Sequence, residues 1–240
     1  MLTSLDWSGP ARHLLESTRE LDQDKPAVMH IRHTERTIRN IDQYFNLNQM
    51  LSTDTGKRAA NEFGSLLPLD RKIKLYHTYI DRSRETAEEI HKGVKDAGGI
   101  SEFAGVIPHR AVVDITEQAN FIRSIQSRKE YAEDGAYYVT CLWTAGLIPT
   151  NIFTPSFEFA KKYAEYTLGN LRNASSDELH VYVTHDSTVL TLIFHWFGLP
   201  PYSDGIRFLG GLLMQVCDDG LHVWLRDRHQ VYEPPYWWPK

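Results

Sequence analysis

The chain has 240 residues, of which 42% are hydrophobic and 24% charged. That is the balance of a globular protein able to bury a sizeable core, and it excludes wholesale disorder. A formal net charge of -5 supplies no general attraction to nucleic acid or anionic lipid, so any basic site has to be local. No window approaches the roughly eighteen apolar residues of a membrane span, and "MLTSLDWSGPARHLLESTREL" lacks a basic start ahead of an apolar core. The expectation is a cytoplasmic protein with neither nucleic-acid nor membrane partners. Cys141 and Cys217 lie far apart, in no paired spacing, and read as free buried thiols.

In chain order, Ala27 to Ile31 form a compact apolar run that reads as a buried strand. The charged turn Arg32-His33-Thr34-Glu35-Arg36 follows at once. Residues 57–67, "KRAANEFGSLL", have helical composition, and Ile73, Leu75 and His77 then alternate along a second strand. From Asp81 onward Ala87, Ile90, Val94 and Ala97 recur at spacings of three and four, which predicts a helix ending at Gly98-Gly99. Residues 100–154 are irregular and punctuated by Pro108 and Pro149, so they read as a small, mainly helical insertion. After Pro155, a helix carries Phe157, Ala160, Ala164, Leu168 and Leu171 on one face. "LHVYVT" at 179–184 reads as a strand, and "HDSTVLTLIFHWFG" as a buried helix ending at Gly198. "GLLMQVCDDGLHVWLRD" reads as a hairpin around Asp219-Gly220. The tail "YEPPYWWP" at 232–239 reads as an extended cover over the core.

Strands alternating with helices predict a layered α/β sheet, mixed because of the hairpin. Without repeats or a linker, residues 1–240 read as one domain, with 100–154 inserted over the active-site edge.

Three charged constellations fall at three strand ends: Arg32-His33, Arg82 with Arg84, and His185-Asp186. If those strands run parallel, their carboxyl ends share the edge where open α/β sheets place ligands. The arginine fork matches phosphate oxygens and stays charged, so Arg32, Arg36 and Arg82 together suit a dianionic phosphoryl group, and equally sulfate or a carboxylate. A histidine in that cradle can attack phosphorus as a neutral imidazole. Asp186 is the nearest carboxyl group able to protonate a leaving oxygen.

"RHTER" at 32–36 resembles the RHGxR signature of the histidine phosphatase superfamily. "DRSRETAEEI" from Asp81 is similar to its second-arginine segment, and "THDSTVLTLIFHWFG" from Thr184 to the HD segment of its acid phosphatase branch. "PPY" at 200–202 also resembles that branch. The resemblance implies a three-layer α/β/α sandwich of the phosphoglycerate mutase-like type with a mostly parallel mixed sheet. It implies a metal-independent, cofactor-free phosphomonoesterase acting on a small phosphorylated substrate. His33 is then the phosphorylated nucleophile, Arg32, Arg36, Arg82 and His185 hold the phosphoryl oxygens, and Asp186 is the general acid.

The sequence departs from the signature at Thr34, where the family has glycine; threonine restricts the backbone and adds a branched Cβ. Two alternatives stay open: a phosphate-binding module with weak catalysis, and a phosphomutase that passes the group to a sugar phosphate. Arg84 competes with Arg82 for the phosphate role, and Asp114 or Glu117 with Asp186 for the acid. His77 and His109 are candidates for lining the pocket, while His30, His195 and Trp196 read as core.

Overall fold

In the computed structural model, which describes residues 2–37, 51–126 and 135–239, one seven-stranded sheet runs through the molecule. Its strands are β1 (Ala27–Arg32), β2 (Lys72–His77), β3 (Ile100–Val106), β4 (Glu178–Thr184), β5 (Gly211–Cys217), β6 (Gly220–Leu225) and β7 (Arg228–Tyr232). They lie in the order β3-β2-β4-β1-β5-β6-β7. β1 pairs parallel with β4, and β2 parallel with both β4 and β3. β5, β6 and β7 continue antiparallel.

Helices cover both faces, as parallel strands require. α1 (Gly9–Ser17), α2 (Asp54–Ser65) and α3 (Asp81–Asp96) bury Leu14, Phe63 and Ile90 against Met29, Ile31, Val181 and Val183 of one face. On the other face α5 (Gly135–Thr144), α6 (Ser156–Arg172) and α7 (Asp186–Phe197) bury Trp143, Tyr163 and Ile193 against Val28 and Tyr182. Each such aliphatic side chain adds about 1.5–3 kcal/mol. The three-layer α/β/α architecture thus follows from continuous apolar runs in the central strands. Both cysteines are free and only half-buried. Among the described residues no helix is long and apolar enough to cross a membrane.

Two segments differ from the sequence reading. Residues 100–106, expected to open the insertion, form β3 at the sheet edge. Ile100, Phe103 and Val106 are exposed there, and the pairing slips between Leu75 and Tyr76, so the strand lacks the alternation that marks a half-buried one. β7 follows a turn with Arg226 at φ 57° rather than a glycine, and its first four residues are exposed. The remainder of the insertion forms α4 (Ile115–Gln126) and α5, with residues 127–134 outside the described part. The aromatic tail does cover the core: Trp238 packs edge-on against Trp196 and Trp237 against Phe157.

Candidate active site

The registers Arg32↔Thr184 and His77↔Val183 align the carboxyl ends of β1, β4 and β2 along one edge. His33 continues the β1–β4 ladder, its amide donating to Thr184 O at 2.9 Å. At the end of β2, Ser83 Oγ donates to Val183 O and accepts from Thr78 N. These bonds stitch the start of α3 to β4 and aim Arg82 inward.

Arg82, His33 and His185 meet there. Arg82 Nε donates to His33 Nε2 at 2.9 Å, and a guanidinium can only donate, so Nε2 carries a lone pair. The ring proton therefore sits on Nδ1, which donates to Thr34 O at 2.7 Å. Arg82 also reaches His185 Nδ1 at 3.5 Å, and His185 Nε2 donates to Thr78 Oγ1 at 3.1 Å. The two imidazole rings lie 5.4 Å apart, edge to face. Burial pushes His33 well below the ordinary histidine range, and Arg82, His185 and Arg32 push it further. His185 falls to about 3, mainly through burial and then Arg82. Both rings are neutral at physiological pH.

Arg32 lies alongside. Its guanidinium donates to Ile206 O at 2.6 Å, stacks over the Phe208 ring at 4.3 Å and stands 3.4 Å from Asp186 Oδ2. Asp186 opens α7, and its Oδ1 accepts from Ser187 N at 2.8 Å. Burial raises its pKa, but Arg32, the Ser187 amide and His185 outweigh that and leave it below the usual carboxylate range. Arg36 is half-buried, bridges to Ser52 and acts electrostatically on both His185 and Asp186.

Other candidates lie elsewhere. Arg84 is exposed and pairs with Asp81 and Glu88. Asp114 and Glu117 are exposed, with Asp114 accepting the Thr116 and Glu117 amides at the start of α4. His109 packs on Tyr163 and Tyr166, and His77 Nδ1 bonds to Thr78 O. His30 is buried, stacked on Tyr182, Trp196 is buried with it, and half-buried His195 bonds to Ser156 Oγ.

Thr34 is fully buried and turned away from the cluster. Its Oγ1 donates to Gly56 O at 2.8 Å and its amide donates to Thr86 Oγ1 at 3.0 Å. The hydroxyl is thus committed to the first turn of α2 rather than to the pocket. Sequence reasoning missed Phe208, Thr78 and Thr86. Phe208 contacts Arg32, His33 and Trp7, and no local pattern in "SDGIRFLGG" announces that role.

No family model matches the chain, and no curated protein matches it either. Solved structures do. YhfR of Bacillus stearothermophilus aligns over 84% of this chain and 96% of its own, at 16% identity and a TM-score of 0.55. A mycobacterial glucosyl-3-phosphoglycerate phosphatase solved with VO3 aligns over 87% of this chain and 99% of its own, at 13% identity and 0.52. Phosphoglycerate mutase of Bacillus anthracis aligns over 88% and 94%, at 14% identity and 0.50. This is the phosphoglycerate mutase-like fold. In this fold's terms, the conjunction of Arg32, His33, Arg82 and His185 lies at the carboxyl edge of the central parallel strands.

Proposed function

We propose that the protein is a metal-independent phosphomonoesterase of the histidine phosphatase superfamily, acting through a phosphohistidine on His33. The observation that carries this reading is the direction of the hydrogen bonds through His33: Thr34 O fixes the proton on Nδ1, and Arg82 covers the Nε2 lone pair. A phosphoryl group entering the cluster takes over the donors of Arg82, Arg32 and Arg36 and uncovers that lone pair. Nε2 then forms the N–P bond as the P–O bond to the alcohol breaks, and Asp186 gives the departing oxygen its proton. In the second half, water attacks phosphorus, the N–P bond breaks, and the Asp186 carboxylate takes the water proton. His185 and the arginines stabilise the charge spread over the transferring group.

Asp186 must be protonated for the first step, yet Arg32 holds it ionised in the free protein. A bound phosphate engages Arg32 and sets negative charge beside the carboxylate; both effects raise its pKa. Substrate binding therefore arms the acid, and hydrolysis favours acidic pH, in keeping with the acid phosphatase branch that the HD pair resembles. The solved neighbours include phosphatases and a mutase, so the fate of the phosphoryl group decides the reaction class. Substrate choice falls to the chain beyond β3, which leaves the same edge; there Arg110 stacks over Tyr79 at 4.1 Å, next to Thr78.

The test is hydrolysis of p-nitrophenyl phosphate with excess chelator, with and without a sugar-phosphate acceptor. Free phosphate released at a chelator-independent rate supports the reading. Release that chelator abolishes and a divalent metal restores overturns it, and transfer to the acceptor in place of water identifies a mutase.

A further inference from the structure

At the sheet edge opposite His33, the β5–β6 hairpin gathers three metal-type donors, with His229 of β7 alongside. Ala27 pairs with Gln215, so residues 215–219 lie beside the start of β1, whereas His33 lies past its end. A Cys217 sulfur, an Asp219 carboxylate oxygen and a His222 ring nitrogen all fall within 4.8 Å of one another. His222 has Nε2 2.8 Å from Asp219 Oδ1 and Nδ1 3.1 Å from His229 Nε2. His229 is steadied by face-to-face stacking on Trp224, 4.4 Å between centroids. The neighbouring ammonium of Lys25 is engaged by Asp218, which leaves the Asp219 oxygen to His222.

We propose that Cys217, Asp219 and His222 bind one divalent ion of borderline softness, Zn(II) being the natural occupant, with a water completing the tetrahedron. Sulfur and imidazole donors select zinc over calcium or magnesium, which prefer oxygen alone. His222 offers Nε2 to the ion beside Asp219 Oδ1, while its Nδ1, 3.1 Å from His229 Nε2, is held by that second ring, an outer partner that orients the ligand. The three donor atoms already lie within 4.8 Å of one another, and rotation of the exposed Asp219 side chain and of Cys217 brings them to bonding distance. Binding releases the Cys217 thiol proton to solvent, while His222 keeps its one ring proton on Nδ1, toward His229. The ion ties β5 to β6 across their turn, and His229 of the exposed edge strand β7 supports it through His222. It takes no part at His33, so chelator-independent hydrolysis and metal binding coexist.

The test is a Co(II) titration of chelator-stripped full-length protein under reducing conditions. A thiolate-to-cobalt charge-transfer band saturating at one equivalent and displaced by Zn(II) is expected. Cys141→Ser keeps the band, Cys217→Ser loses it, and His222→Gln weakens binding by about tenfold or more. Alkylation of the wild-type protein reads the same site without a variant: Zn(II) shields Cys217 and leaves the Cys141 rate unchanged. No band in the wild type, a band that survives Cys217→Ser, or no shielding of Cys217 overturns the proposal.

Discussion

Replacing Gly56 by alanine sets helix propensity against packing. Gly56 is the third residue of α2, where alanine gains about 1 kcal/mol by propensity. A Cβ there, however, lies 2.5 Å from Glu35 O and 3.1 Å from both Glu35 N and Thr34 Cγ2. The closest of these is backbone, which cannot rotate aside, so the turn carrying His33 must shift. Overpacking costs about 1–3 kcal/mol, and backbone contact places this case at the upper end, leaving a net loss of about 2 kcal/mol. For a chain of this size that lowers Tm by about 4–8 °C. Displacing His33 from Arg82 by up to about 1 Å lowers kcat/KM by up to about 10²-fold. Thermal unfolding and p-nitrophenyl phosphate kinetics read both effects. Thr34→Gly removes the Cγ2 contact and loosens the turn, so the double variant is less damaged than the sum of the singles, by about 1 kcal/mol. An unchanged or raised Tm with kcat/KM within about twofold of wild type refutes the reasoning.

Asp186→Asn slows hydrolysis of an alkyl phosphate by about 10²–10⁴-fold and of p-nitrophenyl phosphate much less, because the phenolate leaves without a proton; equal losses on both substrates remove Asp186 as the acid. Arg82→Ala lowers kcat by about 10²–10³-fold, whereas Arg84→Ala stays near wild type; comparable losses in steady-state assays contradict the assignment. Acid should destabilise the protein. Burial lowers His30 and His185 to about 3, so the unfolded chain takes up protons first. Stability is fully present above about pH 6.5 and falls by about 1.4 kcal/mol per pH unit per histidine down to the folded values. His30→Phe therefore flattens the loss between about pH 7.5 and about pH 5 in urea unfolding, and an unchanged slope contradicts it.

The central fold was legible because its signals are local and strong. The runs at 27–31 and 179–184 are apolar throughout, as strands buried on both faces are, and the Asp219-Gly220 turn announces its own hairpin. β3 and β7 were not legible because edge strands bury one face poorly. Ile100, Phe103 and Val106 step by three, and "RHQVY" offers only Val231 and Tyr232 as apolar residues. At the candidate site, Arg32, His33, Arg82, His185 and Asp186 could be named because strand ends mark them. The Thr34–Gly56 contact could not, since it joins residues 22 apart through a hydrogen bond and a missing Cβ. Phe208 reaches the site through a loop whose shape depends on Leu209 at φ 57°, a conformation that leucine's identity does not forecast.

The most direct test is to quench the protein with acid-free denaturant during turnover of a phosphate-labelled substrate and map the covalent label. The account expects an acid-labile, base-stable label on His33 that chases into free phosphate and is absent from His33→Ala. A label on another side chain, or steady hydrolysis with none trapped even in Asp186→Asn, where release is slowed, contradicts it.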